Sequence, residues 1–156
     1  MSNNLSDGAR GGTMTVTKGA LAIGDGAKTG VAVPTTAIHY GIDGIGYTTT
    51  AAATNKPLTA GRVQAADTTC LYLIMVDSSV AFTSVQGRET LNADLVALSD
   101  VVEWPEPSAN KCCIGAVKIK TVAVTFTPGT TALDASGVTA TYYNIVGGVP
   151  IKPLAA

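Results

Sequence analysis

A chain of 156 residues, 46% hydrophobic and only 13% charged at a net charge of −1, fits one domain and buries roughly two-thirds of its unfolded surface on folding. Globular chains usually carry about 25% charged residues, and the near-neutral balance excludes an electrostatic footprint for nucleic acid or an acidic membrane. Mixed surface charge keeps soluble proteins apart; Thr and Ala in its place give a surface that costs little to desolvate, which suits contacts between subunits.

Residues Met1 to Gly12 read as a flexible N-terminal arm. The stretch "SNNLSDGARGG" has one large apolar residue and no periodicity, so it contributes little to a core; Leu5 and Arg10 are its candidate interface residues. It shows neither the basic segment nor the apolar core of a secretory signal, and none is expected. Residues 13–156 read as a single β domain.

From Thr13 onward the hydrophobic period is two. Thr13 to Thr17 alternates, with Met14 and Val16 on one face, and after Lys18-Gly19 comes the short run Ala20 to Ile23. "GDGAKTG", Gly24 to Gly30, holds the ingredients of a phosphate cradle, but a phosphate loop needs Gly-Lys-Thr contiguous and a helix behind it, so it reads as a solvated turn. Thr36 to Ile42 places Ile38, Tyr40 and Ile42 together. Asp43-Gly44 then changes the phase, so that Ile45 and Tyr47 share a face; an Asp-Gly pair between alternating runs predicts a hairpin, because glycine takes positive φ without steric cost. "GIDGIG", Gly41 to Gly46, sits inside that hairpin and lacks the dinucleotide fingerprint.

"CLYLIMV", Cys70 to Val76, is apolar on both faces and predicts the central buried strand, followed by Asp77-Ser78-Ser79 and a strand from Val80 to Val85. Leu91, Leu95, Leu98 and Val102 fall at helical spacing and predict one short helix, with Pro105 and Pro107 ending whatever precedes them. Val117 and Ile119 share a face with Lys118 and Lys120 opposite; Val122, Val124 and Phe126 then take even positions, which predicts a bulge or bend across Thr121 in one long strand. Pro128-Gly129 closes it, and Val138 to Ile145 is the last strand. Many short strands between Gly, Pro, Asn and Asp turns predict an all-β fold, an antiparallel β-sandwich or jelly-roll-like barrel.

Catalytic signals are sparse. His39, the single histidine, alternates opposite Ile38 and Tyr40, so it faces solvent or an interface rather than a triad. Three cysteines, Cys70, Cys112 and Cys113, are an odd number, and the adjacent pair matches neither a disulfide framework nor a zinc pattern; they read as buried thiols of a chain made in a reducing cytoplasm. Asp94, Asp100, Glu103 and Glu106 form the densest acidic stretch. Paired carboxylates can hydrolyse glycosides, but with aromatics at 5% no sugar-stacking cleft is expected, and the acids read as a solvated face. Trp104, the single Trp, reads as a core or interface anchor. Tyr142-Tyr143 puts one ring on each face of the last strand, leaving Tyr143 available to an adjoining subunit. The candidate interface is thus Leu5, Arg10, Trp104 and Tyr143, with no catalytic, cofactor or metal residue assigned.

Three stretches, "GALAIGDGAKTGVAV", "PLTAGRVQAADTTCLYLIMVD" and "CIGAVKIKT…FTPGTTALDASGVTATYYN", resemble the small virion proteins of tailed bacteriophages that decorate or cement the capsid or contribute to head fibres. The resemblance spans most of Thr13 to Ile145. It implies a β-rich, non-enzymatic, trimeric virion protein made in the host cytoplasm. Its partner would be the major capsid protein, bound on the capsid exterior across capsomer joints, and no cofactor is implied. The alternative is a receptor- or glycan-binding fibre module using Trp104 and an exposed Tyr. The segment Glu89 to Asn110 matches no feature of that family.

Overall fold

A computed structural model describes residues 12–33, 37–49 and 53–154. In chain order the strands are β1 (Met14–Thr15), β2 (Ala22–Ile23), β3 (Gly30–Val33), β4 (His39–Ile42), β5 (Ile45–Thr48), β6 (Ala53–Pro57), β7 (Thr68–Val76), β8 (Phe82–Gln86), β9 (Thr90–Leu91), β10 (Cys112–Thr121) and β11 (Val138–Asn144); the helix α1 (Asn92–Val96) lies between β9 and β10. Every pairing among them is antiparallel. The fold is all-β and sandwich-like. The expected arm, with Leu5 and Arg10, lies outside the described residues except for Gly12.

The main sheet runs β11-β10-β7-β8, and β9 follows β8 along the same edge of β7. β7 is buried at all nine positions, as its two-faced apolar run requires. Its even residues Cys70, Tyr72, Ile74 and Val76 enter one apolar cluster and its odd residues Leu71, Leu73 and Met75 the other. Two small sheets, β1-β4-β5 and β2-β3-β6, cover the first face with Tyr40 and Ile42 from β4, Ile38 just before it, and Val31 and Val33 from β3. The second face is covered by Leu95 of α1, by Val102 and Trp104, and by the chain after β11 through Ile145, Val149 and Leu154.

The Asp43-Gly44 hairpin forms as expected: both residues have positive φ, 50° and 80°, the primed turn that matches strand twist, and Ile42 pairs with Ile45. Polar cross-links fix the first face. Gln64 is fully buried; its Nε2 donates to the carbonyls of Thr68 (3.2 Å) and Ile119 (3.0 Å), and its Oε1 accepts from the Tyr72 hydroxyl at 3.1 Å. Its main chain exchanges hydrogen bonds with Phe126. All of its side-chain polarity is thus matched, so its burial carries no desolvation deficit.

Three expectations change. In β1 it is Thr15 that turns inward, with its hydroxyl on the Cys113 carbonyl, while Val16 is 62% exposed. The phase shift predicted at Thr121 occurs earlier, at a bulge between Cys113 and Gly115; it moves the inward set from Cys112 and Ile114 to Val117 and Ile119. At Thr121 the chain leaves the sheet altogether. Ala123 has φ 56°, and Phe126 returns only as an isolated bridge to Gln64, so Val122 to Phe126 do not extend β10. The helix is shorter than the leucine spacing predicts and has no fully buried residue.

Candidate functional site

The second face of the main sheet carries the features that packing alone does not account for. Tyr143 projects there from β11, and Trp104 lies over it edge to face, ring centroids 6.2 Å apart and planes at 77°. The Lys118 ammonium from β10 sits 5.9 Å from the same Tyr143 ring, within cation–π range. Two of the four sequence-derived interface residues, Trp104 and Tyr143, are therefore neighbours. Both are half-buried, so Tyr143 is partly occupied by Trp104 rather than wholly free for another subunit.

Beside this trio lies a pocket of about 260 Å³ between α1 and the sheet. Leu95, Val96, Leu98 and Val102 supply apolar walls, and Lys118 and Lys120 supply the sheet side. Neither lysine forms an ion pair among the described residues. The apolar rim is unusually open: Val96 is 83% and Leu98 79% exposed. Leu98 follows the C-cap Ala97 with φ 55°, the left-handed position that ends helices and favours glycine. A leucine there costs about 1 to 2 kcal/mol of backbone strain and recovers none of it by burial.

Arg88 ties this region together. Its guanidinium meets Asp100 at 2.5 Å and Glu103 at 3.6 Å. The Asp100 carboxyl is held below its usual range by the Val101 backbone N–H and by Arg88. Asn92 anchors the start of α1, accepting from the Thr69 hydroxyl at 2.7 Å and donating to the Thr121 carbonyl at 2.8 Å. On the far side of Trp104 is a cleft of about 650 Å³ lined by Glu103, Glu106, Pro105, Pro107, Ile151 and Lys152 among others.

The other candidates fall elsewhere. His39 is exposed and bonds Thr48 Oγ1 at 2.9 Å; among the described residues no acid pairs with it. "GDGAKTG" is the turn between β2 and β3, with Lys28 on Asp134 at 2.5 Å. The acids Asp94, Asp100, Glu103 and Glu106 lie on or near this face without forming, among the described residues, a cluster able to hold a metal. The three cysteines are free and buried, and burial pushes the Cys70 and Cys113 thiols up to about 11 and about 12. Sequence reading missed Lys120, Arg88 and the pocket. The visible signal was Lys118 and Lys120 alternating with Val117 and Ile119, which marks a strand whose second face stays partly polar.

No family model, no curated protein and no solved structure matches the chain.

Proposed function

We propose that this chain is a non-enzymatic structural protein of a tailed-bacteriophage virion, which binds the outside of the capsid through the second face of its main sheet and stabilises the shell across joints between major capsid subunits. The phage assignment rests on the sequence resemblance. The observation that carries the contact role is Leu98, an apolar side chain held in a strained backbone conformation and left 79% exposed. Ending the helix accounts for the backbone conformation, since Ser99 N–H reaches the Asp94 carbonyl and Leu98 N–H the Leu95 carbonyl. It calls for glycine there and not for an exposed leucine, which an apolar anchor for a partner does explain. Val96 and the Trp104–Tyr143 pair extend the same surface, and the flanking lysines suit an acidic rim on the partner. Several such modest contacts engaged at once gain strength through effective concentration.

The test separates binding from folding. Leu98→Gly combined with Val96→Ser removes the anchors and relieves the strained φ, so melting stays unchanged or rises. Co-sedimentation with shells assembled from the major capsid protein of the same genome should weaken at least ~10-fold, equivalent to about 1.4 kcal/mol. Wild-type protein that fails to sediment with such shells would overturn the reading.

A second reading, a glycan-binding fibre module, is favoured by one feature: Trp104 borders the larger cleft together with Glu103 and Glu106. An aromatic face beside carboxylates suits a sugar's apolar face and hydroxyls. Glycan-array binding lost in Trp104→Ala, with shell binding absent, would select it.

A further inference from the structure

The two edges of the main sheet are treated differently. Along β8, residues 59–65 form a seal: Thr59 N–H donates to Ser84 Oγ at 2.8 Å and Ser84 N–H to Thr59 Oγ1 at 2.7 Å. Gln86 donates to the Arg62 carbonyl at 2.9 Å, and Ala65 N–H to the Glu89 carboxylate at 3.0 Å. At the opposite edge, β11 pairs with β10 along its whole length, from Val138 with Thr121 to Asn144 with Gly115. From Thr139 to Asn144 the described residues provide no other backbone hydrogen bond.

Bare edges are normally blunted by charge, proline or brevity, because their unpaired N–H and C=O groups template further pairing. β11 has none of these: its seven residues, VTATYYN, carry no charge, no proline and no glycine, and Val, Thr and Tyr favour strands. The other free edges are shorter or protected. β5 has four residues, and β6 ends in Pro57 after Lys56.

We propose that β11 pairs antiparallel with β11 of a second copy, continuing the main sheet across a two-fold axis. A strand paired with itself meets its own sequence reversed. About Thr141 this opposes Thr141 to Thr141, Tyr142 to Ala140, Tyr143 to Thr139 and Asn144 to Val138, with no like charges in contact. The charges on the neighbouring strand are Lys118 and Lys120 of β10; across the joint they stand about three strand spacings, roughly 14 Å, from their counterparts, beyond the screening length of about 8 Å. Asp134, which acts on Tyr142, is itself paired with Lys28. The contact is isologous and closes on itself, so it gives a discrete pair rather than a fibre. It does not depend on the shell-binding reading, and it joins copies in twos where the family resemblance implies threes.

Light scattering after size exclusion should give twice the 15.7 kDa chain mass or an even multiple. Thr139 and Thr141 are exposed, so Thr139→Lys with Thr141→Lys places charges in the joint without entering the core, and the mass should halve. Hydrogen exchange on the wild type gives a second readout that needs no variant. Protection of successive β11 amides should fall at least ~10-fold at alternate positions on dilution below the dissociation constant. A monomer, a trimer, or alternate β11 amides that exchange freely in the concentrated wild-type protein would overturn the proposal.

Discussion

The two faces of the main sheet are built on different terms. On the first, the inward residues of β7, β10 and β11 meet two small sheets, and the buried polar groups are largely matched, Gln64 completely so. On the second, a five-residue helix without a buried side chain and an irregular C-terminal segment lie over the same strands, leaving Val96 and Leu98 in solvent and two lysines without ion partners among the described residues. The lesson is a division of labour within one sheet. Stability is concentrated on the first face, and the second is left incompletely covered, as the proposed contact role requires.

The largest effect should come from opening the first face. Phe126 is fully buried and meets Tyr72 edge to face at 6.0 Å; Phe126→Ala should cost about 3 to 5 kcal/mol in a denaturant melt. Gln64→Ala should follow at about 2 to 3 kcal/mol, because it strands the Tyr72 hydroxyl and the carbonyls of Thr68 and Ile119. A loss under half a kilocalorie for either would contradict the assignment of stability to this face. By contrast the Leu98→Gly, Val96→Ser variant should leave the melt within about 0.5 kcal/mol of wild type or above it.

A pH titration gives a smaller, graded effect. Burial raises the Cys70 and Cys113 thiols from an ordinary 9.0 to about 11 and about 12, so the fold holds their protons more tightly than the unfolded chain does. Their contribution is complete below pH 9 and falls as pH rises toward 11 and 12. Burial raises Cys112, Tyr40 and Tyr72 in the same direction. Melting temperature should therefore decline above pH 9, less steeply in Cys113→Ala; an unchanged slope in that variant would remove Cys113 from the account.

Much of the architecture was legible because it rests on local chemistry. β7 is written as an unbroken apolar run, the first hairpin as Asp-Gly, and the split of Tyr142 and Tyr143 between the two clusters as simple alternation. The inward phase of β1 was not legible: Thr15 competes with Met14 and Val16 only because the Cys113 carbonyl, far along the chain, accepts its hydroxyl. The bulge at Cys113 was hidden for a similar reason. Cys112, Cys113, Ile114 and Ala116 are all small or apolar enough to enter either face, so the pattern lost its phase where the backbone changed it. The helical spacing of Leu91, Leu95, Leu98 and Val102 was real, but only Val102 is buried and Leu95 half-buried; the repeat was satisfied by exposure. Of the site, Trp104 and Tyr143 could be named from residue type, whereas their stacking and the lysines beside them depend on β10 and β11 being neighbours.

The burial of β7 on both sides has a consequence for biosynthesis. β8 follows it directly, so a hairpin can close while the chain is still emerging from the ribosome. β10, the partner on its other flank, begins only at Cys112. Until that segment and the chain after it are translated, Leu71, Leu73 and Met75 lie in a ribbon with one flank unpaired and its second face incompletely covered, and nascent chains expose that ribbon to one another. Yield of native protein should accordingly respond to expression temperature and chaperone supply more than the stability of the finished molecule suggests.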